Sequence, residues 1–139
     1  MRFARLVFFV AGAWGLLVLT PLYFLFDAIG RQHASSITYP QFFYGFVSVA
    51  MAWQVAFLVI ASDPVRFRPM MIPGVVEKLW FIASMTVLYL QARVGFADLM
   101  VTAPDLVWAV LFLLAFTKTA AASLHEFDRF KEDPWLRSR

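Results

Sequence analysis

Residues 6–26 read LVFFVAGAWGLLVLTPLYFLF, an apolar stretch of 21 residues without a single Asp, Glu, Lys or Arg. A helix of roughly 20 apolar residues is long enough to cross the hydrocarbon core of a bilayer. Three further stretches with almost no charge follow at residues 42–61, 75–90 and 106–117. The four stretches predict an all-α integral membrane protein, a bundle of four transmembrane helices.

The pattern also predicts where the membrane domain ends. Leu124, Phe127 and Phe130 recur every third residue among charged side chains, which is typical of a helix lying on a membrane surface. We therefore expect residues 120–139 to form a cytoplasmic amphipathic tail. The expected spans are residues 3–26, 41–61, 73–92 and 102–119.

The composition supports a membrane protein and excludes several other classes. Of the 139 residues, 62% are hydrophobic and 15% are charged, whereas soluble domains have about 45–50% and about 25%. The absence of cysteine excludes disulfides, thiolate ligands and thiol-based redox chemistry. The net charge of +3 does not indicate a nucleic-acid partner, because the basic residues flank the apolar stretches.

The basic residues are distributed unequally between the two ends of the spans. Cytoplasmic loops hold an excess of Lys and Arg, so the richer side predicts the cytoplasm and places both termini there. Together with the small size, this bias favours the inner membrane of a bacterium. Only Arg31 and Arg93 fall on the poorer side. The other ten are Arg2, Arg5, Arg66, Arg68, Lys78, Lys118, Arg129, Lys131, Arg137 and Arg139.

A charged cluster follows the second span and makes the first candidate site. Arg66 and Arg68 lie in a short proline-rich loop after Asp63, and Glu77 and Lys78 follow at the start of span three. Two arginines in a stiff loop suit an anionic lipid headgroup or a phosphate. The alternative is that the basic residues only set the topology and that Glu77 pairs internally with Arg66 or Arg68.

Polar side chains inside the spans make the second candidate site. Glu77, Ser84 and Gln91 recur every seven residues, which keeps them on one face of a bundle helix. Gln54 is the most deeply placed amide, and burying an unpaired amide in hydrocarbon is costly. These four residues either line a cavity or hydrogen-bond between helices. We place Glu77 about one turn inside its span, which disfavours a transporter because coupling carboxylates usually lie deep.

The sequence gives no basis for a catalytic residue, a metal site or a cofactor. His33 and His125 are expected on opposite sides of the membrane, so they cannot share a metal or a haem. Asp27, Asp98 and Asp105 are expected on the outer side, without a histidine or nucleophile spaced to act with them. No phosphate loop and no hydrolase or zinc-protease motif is present.

We therefore expect a non-enzymatic membrane protein that binds lipid or assembles into a homo-oligomer or a larger membrane complex. Ala11 and Gly15, four residues apart, give span one a small-residue face suited to close helix packing. Two alternatives stay open. One is a small transporter or channel that uses the polar face of span three. The other is a membrane enzyme acting on a lipid or an isoprenoid.

Overall fold

The computed structural model describes the backbone of residues 2–25 and 40–132, and the side chains of these residues up to residue 120. All the regular secondary structure within these ranges is helical. Four segments of the described chain are long and apolar enough to cross a membrane, which confirms the predicted helical class and agrees with the predicted number of potential spans. These segments are Arg2–Leu25, Pro40–Ser62, Arg68–Leu90 and Phe96–Ala120.

The described chain forms five α-helices with both ends described and one 3-10 turn, and residues 22–25 are also helical. The 3-10 turn, Arg68–Met70, leads directly into the third long helix. A turn at residues 63–67 precedes it, where Asp63 Oδ1 accepts a hydrogen bond from the backbone N–H of Arg66 at 3.2 Å. The helices are α1 (Arg2–Leu19), α2 (Pro40–Ser62), α3 (Met71–Leu90), α4 (Phe96–Met100) and α5 (Ala103–Glu132).

The closest helix pair is α1 and α2, and glycine allows that approach. A Cβ atom on Gly12 would lie 2.8 Å from the backbone oxygen of Gln54, and one on Gly15 would overlap the Gln54 side chain. The small-residue face predicted around Gly15 therefore lies against α2. In lipid, such close approach stabilises a helix pair through dispersion contacts, because apolar burial alone gives no driving force between helices.

The four long helices are arranged in the order α2, α1, α5, α3. Helix α5 packs closely on both α1 and α3, whereas the backbones of α2 and α3 lie farther apart and these two helices meet mainly through side chains, as where the Phe46 and Phe81 rings stack at 5.9 Å between centroids. The core lies where the four long helices meet, around a cluster of three fully buried rings. Phe112 stacks on Phe8 at 4.3 Å between ring centroids and meets Phe57 edge-on at 4.9 Å. The wide spacing of the α2 and α3 backbones leaves the bundle open on one side.

The fourth span begins earlier than expected and is interrupted. We expected it at residues 102–119, but helix already forms at Phe96–Met100 and resumes at Ala103 after a turn. The reversal after α3 includes Ala92, which adopts a left-handed φ of 55°. Because Phe96–Met100 adds helix ahead of Ala103, Asp105 lies further inside the span than expected.

Helix α5 continues past the fourth span to Glu132 without a break. The side chains that would make this continuation amphipathic, among them His125, lie outside the described residues, so its membrane-surface position stays a prediction. The loop that contains Arg31 and His33 also lies outside the described residues.

Candidate functional site

Three charged residues, here called the charged triad, meet between α3 and α5: Glu77, Lys78 and Asp105. Lys78 Nζ lies 2.8 Å from Asp105 Oδ1 and 3.2 Å from Glu77 Oε2. Lys78 is only 8% exposed. Its ammonium group also lies 5.6 Å from the ring centroid of Phe57 on α2. One buried cation is thus shared between two carboxylates.

The charged triad lies in the middle of the spans. Lys78 is one residue from the midpoint of Arg68–Leu90, and Asp105 is three residues from the midpoint of Phe96–Ala120. This corrects two expectations, since Lys78 was placed at the cytoplasmic end and Asp105 at the outer end. Glu77 is also deeper than one turn, because helical structure already begins at Arg68. Ionisable residues at such depth are rare and typically mark a functional site.

Glu77 pairs with Lys78 rather than with either arginine of the loop. The hydrogen bond from Lys78 Nζ to Glu77 Oε1 is long, at 3.4 Å. Glu77 Oε2 is enclosed and accepts no hydrogen bond from any residue that the structure describes. The expected internal pair of Glu77 with Arg66 or Arg68 is therefore wrong, and Glu77 is the less well satisfied carboxylate of the triad.

A groove of about 570 Å³ lies between α2 and α3, where the bundle is open. Glu77 lines it, together with Ser84, which lies two helical turns further along the same face of α3. Ser84 donates its hydroxyl hydrogen to the backbone oxygen of Trp80 at 2.8 Å, so its free lone pair can only accept. The other walls are apolar and largely aromatic: Phe46, Val49, Ala50 and Trp53 from α2, with Trp80 and Phe81 from α3.

The remaining two members of the predicted polar set lie elsewhere. Gln54 is buried between α1 and α2, 4% exposed, and donates through Nε2 to the backbone oxygen of Ala50 at 3.0 Å. Gln91 is exposed and ends α3. The seven-residue spacing therefore places Glu77 and Ser84 at one groove, while Gln54 serves the α1–α2 contact and Gln91 the helix end.

The two arginines of the first candidate cluster lie apart from the charged triad. Arg68 Nε donates to the backbone oxygen of Phe116 at 3.3 Å, and its guanidinium lies 3.9 Å from the Phe116 ring centroid. Arg66 is exposed, with its guanidinium 5.6 Å from the ring centroid of the adjacent Phe67. The predicted cluster is thus divided into an arginine-containing turn at the bundle end and a charged triad in the middle.

Sequence reasoning missed Asp105 as a member of the site. Residues 96–101, which are apolar except for Asp98, carried the relevant information, because they extend the fourth span ahead of Pro104 and place Asp105 well inside it. Among the described residues, no group of three His, Cys, Asp or Glu side chains is placed to hold a metal ion.

The fold and the site define a helical protein with four potential membrane spans and a charged triad beside an open groove. Comparison of the chain with protein-family models, with curated proteins and with solved structures finds no match. Its function is therefore inferred from its own residues.

Proposed function

We propose that the protein is a non-enzymatic membrane protein that takes an apolar molecule from the bilayer into the groove between α2 and α3. The observation that carries the proposal is the groove of about 570 Å³ that the wide spacing of these two helix backbones leaves open at the side of the bundle. Sites for small molecules have volumes of about 300–1,000 Å³ and combine apolar walls with a few polar groups.

The lining of the groove suits a molecule with a long apolar part. Trp53 and Trp80 line the groove, together with Phe46 and Phe81, whose rings stack on each other, and large aromatic surfaces offer many dispersion contacts. Among the described residues that line the groove, only Glu77 is charged, which gives the site one end that can orient a ligand. Because the spans are apolar, such a molecule reaches the groove sideways from the lipid.

Filling the groove tests the proposal. In Ala50→Trp, an indole ring would occupy the space between α2 and α3, so we expect about a tenfold loss of co-purifying ligand. Ala52→Trp is the matched control, because Ala52 is an exposed residue of the same helix outside the groove lining. Native mass spectrometry of protein released from lipid nanodiscs would measure bound mass and oligomeric state together.

Two outcomes would contradict the proposal. Equal bound mass in Ala50→Trp and Ala52→Trp would show that the ligand, if any, lies outside the groove. A wild-type dimer that Ala50→Trp alone converts to a monomer would show that a second copy of the chain covers this face.

A small transporter is the second candidate function, and the depth of the charged triad favours it. Coupling carboxylates of transporters lie near the bilayer midplane, and Glu77 and Asp105 lie in the middle regions of their spans. The two candidates differ in whether the bound molecule crosses the membrane. Flux of a groove-binding molecule into liposomes, present in the wild type and lost in Glu77→Gln, would support transport.

A further inference from the structure

The charged triad places two carboxyl groups but only one ammonium group beside the groove. The shortest contact of Lys78 is to Asp105, at 2.8 Å. Glu77 has only the 3.2 Å ion pair and the long 3.4 Å hydrogen bond. A cation in the groove beside Glu77 would favour the ionised form of this carboxyl group and be attracted to it, because Coulomb interactions are strong in a medium of low dielectric.

The aromatic walls favour the same sign of charge. Trp53, Trp80 and Phe81 line the groove together with Glu77, and the faces of aromatic rings, above all of Trp, attract ammonium groups. The chain already uses this interaction at Arg68, whose guanidinium lies 3.9 Å from the Phe116 ring centroid. A carboxylate among aromatic rings is therefore suited to an organic cation rather than to a neutral or anionic headgroup.

A second copy of this chain does not supply that cation from its described residues. Among the described basic residues, only Lys78 lies in the middle of a span, and its ammonium group is buried within its own triad. The other described basic residues lie at or near the ends of the spans: Arg2, Arg5, Arg66, Arg68, Arg93 and Lys118.

We propose that the molecule held in the groove is a lipophilic cation: one positively charged nitrogen on an apolar body. This inference rests on the groove function proposed above. The charged nitrogen lies near Glu77 and the Trp80 ring, and the apolar body lies along the α2–α3 walls. A neutral lipid with a hydroxyl group is the competing occupant, because it gains the apolar contacts without the charge interaction.

Two probes with the same tail separate charge from apolarity. Dodecylamine is an ammonium ion at neutral pH, and dodecanol is uncharged. With the protein in phosphatidylcholine nanodiscs, titration followed by tryptophan fluorescence would report binding of each probe below its micellar concentration. We expect dodecylamine to bind at least about tenfold more tightly than dodecanol, relative to Ala50→Trp as the blocked reference.

Three variants assign the preference to the site. Glu77→Gln should remove the preference for dodecylamine while it changes dodecanol binding by less than about twofold. Asp98→Asn is the control, because it removes one negative charge from α4, away from the groove. Trp80→Leu is a second test that does not depend on the stability of the triad, because Trp80 is 74% exposed. It should weaken dodecylamine binding more than dodecanol binding.

The possible failures are distinguishable. Equal affinity for the amine and the alcohol, with both blocked by Ala50→Trp, would overturn the cation inference and leave the groove in place. A preference for the amine that survives Glu77→Gln and Trp80→Leu would also overturn it. No binding of either probe would overturn the groove function itself.

Discussion

Lys78 is the residue on which the middle of the bundle depends. It is buried between two carboxylates and lies over the ring of Phe57, so its charge is balanced on more than one side. Burying ions costs several kcal/mol each, and a buried ion pair offsets that cost only while both partners are present. The charged triad is therefore weak evidence for stability as such but strongly sensitive to loss of its cation.

Lys78→Met is expected to destabilise the protein by about 3–5 kcal/mol, because it leaves Glu77 and Asp105 unpaired in an apolar bundle. Neutralising both carboxylates as well, in the triple variant with Glu77→Gln and Asp105→Asn, should recover most of that loss. Unfolding in mixed micelles would measure both changes. Arg66→Met removes a cation that is exposed, so a shift as large as that of Lys78→Met would contradict the assignment.

Individual residues also show which members of the site could be predicted from the sequence and which could not. Glu77 and Ser84 were predicted as polar members of one helix face, and both line the groove. Asp105 was expected on the outer side, close to the start of the fourth span. Its partner is Lys78, 27 positions earlier in the chain, and a pairing between distant helices leaves no local pattern in the sequence.

Among the elements, the contact between α1 and α2 depends on two glycines that face α2. Gly15 leaves the space that the Gln54 side chain occupies, and Gly12 lets the backbones of the two helices approach. Gly45, on α2, has no neighbouring atom within 4 Å of the position that a Cβ would take. Gly12 and Gly15 are therefore closely packed and Gly45 is not, so one substitution can be compared at both kinds of position.

Gly15→Leu is expected to destabilise the bundle by about 1–3 kcal/mol or more, because the new side chain overlaps Gln54 and forces α1 away from α2. Gly45→Leu introduces the same residue at an open helical position and should be neutral or slightly stabilising, since leucine has the higher helix propensity. Thermal unfolding of the two variants in one detergent would compare them. Equal unfolding temperatures would mean that α1 and α2 do not pack through Gly15.

The number and approximate positions of the spans were predictable, because long apolar stretches are a property of the local sequence. The interruption at residues 101–102 was not, because Phe96–Met100 is too short to stand out from the apolar stretch that it joins. This short helix extends the fourth span to Phe96–Ala120. Helix bounds that depend on a turn or a left-handed residue such as Ala92 need the tertiary structure.

At the scale of the whole molecule, the order of the helices creates the groove. Hydropathy shows which segments can cross a membrane, but every lipid-facing and helix-facing surface is apolar, so it does not show which helices are neighbours. The arrangement α2, α1, α5, α3 places the second and third spans side by side with widely spaced backbones. The open side, and hence the candidate site, follows from that order and not from any single span.

Contacts between basic residues and distant elements gather at one end of the bundle. Arg5 donates to the backbone oxygen of Ser62 at 3.1 Å, and the Lys118 ammonium lies 4.3 Å from the ring centroid of Phe3. Arg68 joins them through Phe116. Arg93 belongs to the turn at the other end of α3. Even when Lys78 is left out, most Lys and Arg residues are assigned to one end of the bundle, and we predict that this end is cytoplasmic.

Single-cysteine labelling tests this orientation, because the chain contains no cysteine of its own. We expect Ser62→Cys, at the basic end, to react with a membrane-impermeant maleimide only after the membranes of bacterial spheroplasts are opened. Val94→Cys, in the turn beyond α3, should react in intact spheroplasts. Ser62 is exposed and Val94 partly so, and neither substitution changes the charge that sets the topology.

The reverse labelling pattern would place the basic end outside and contradict the positive-inside argument. Labelling of both cysteines in intact spheroplasts would contradict a crossing by Arg68–Leu90, the span that carries Glu77 and Lys78. The result therefore bears on the candidate site as well as on orientation. If that segment crosses, the charged triad lies within the hydrocarbon, where an unbalanced carboxylate is costly and a cation from the lipid phase is most strongly favoured.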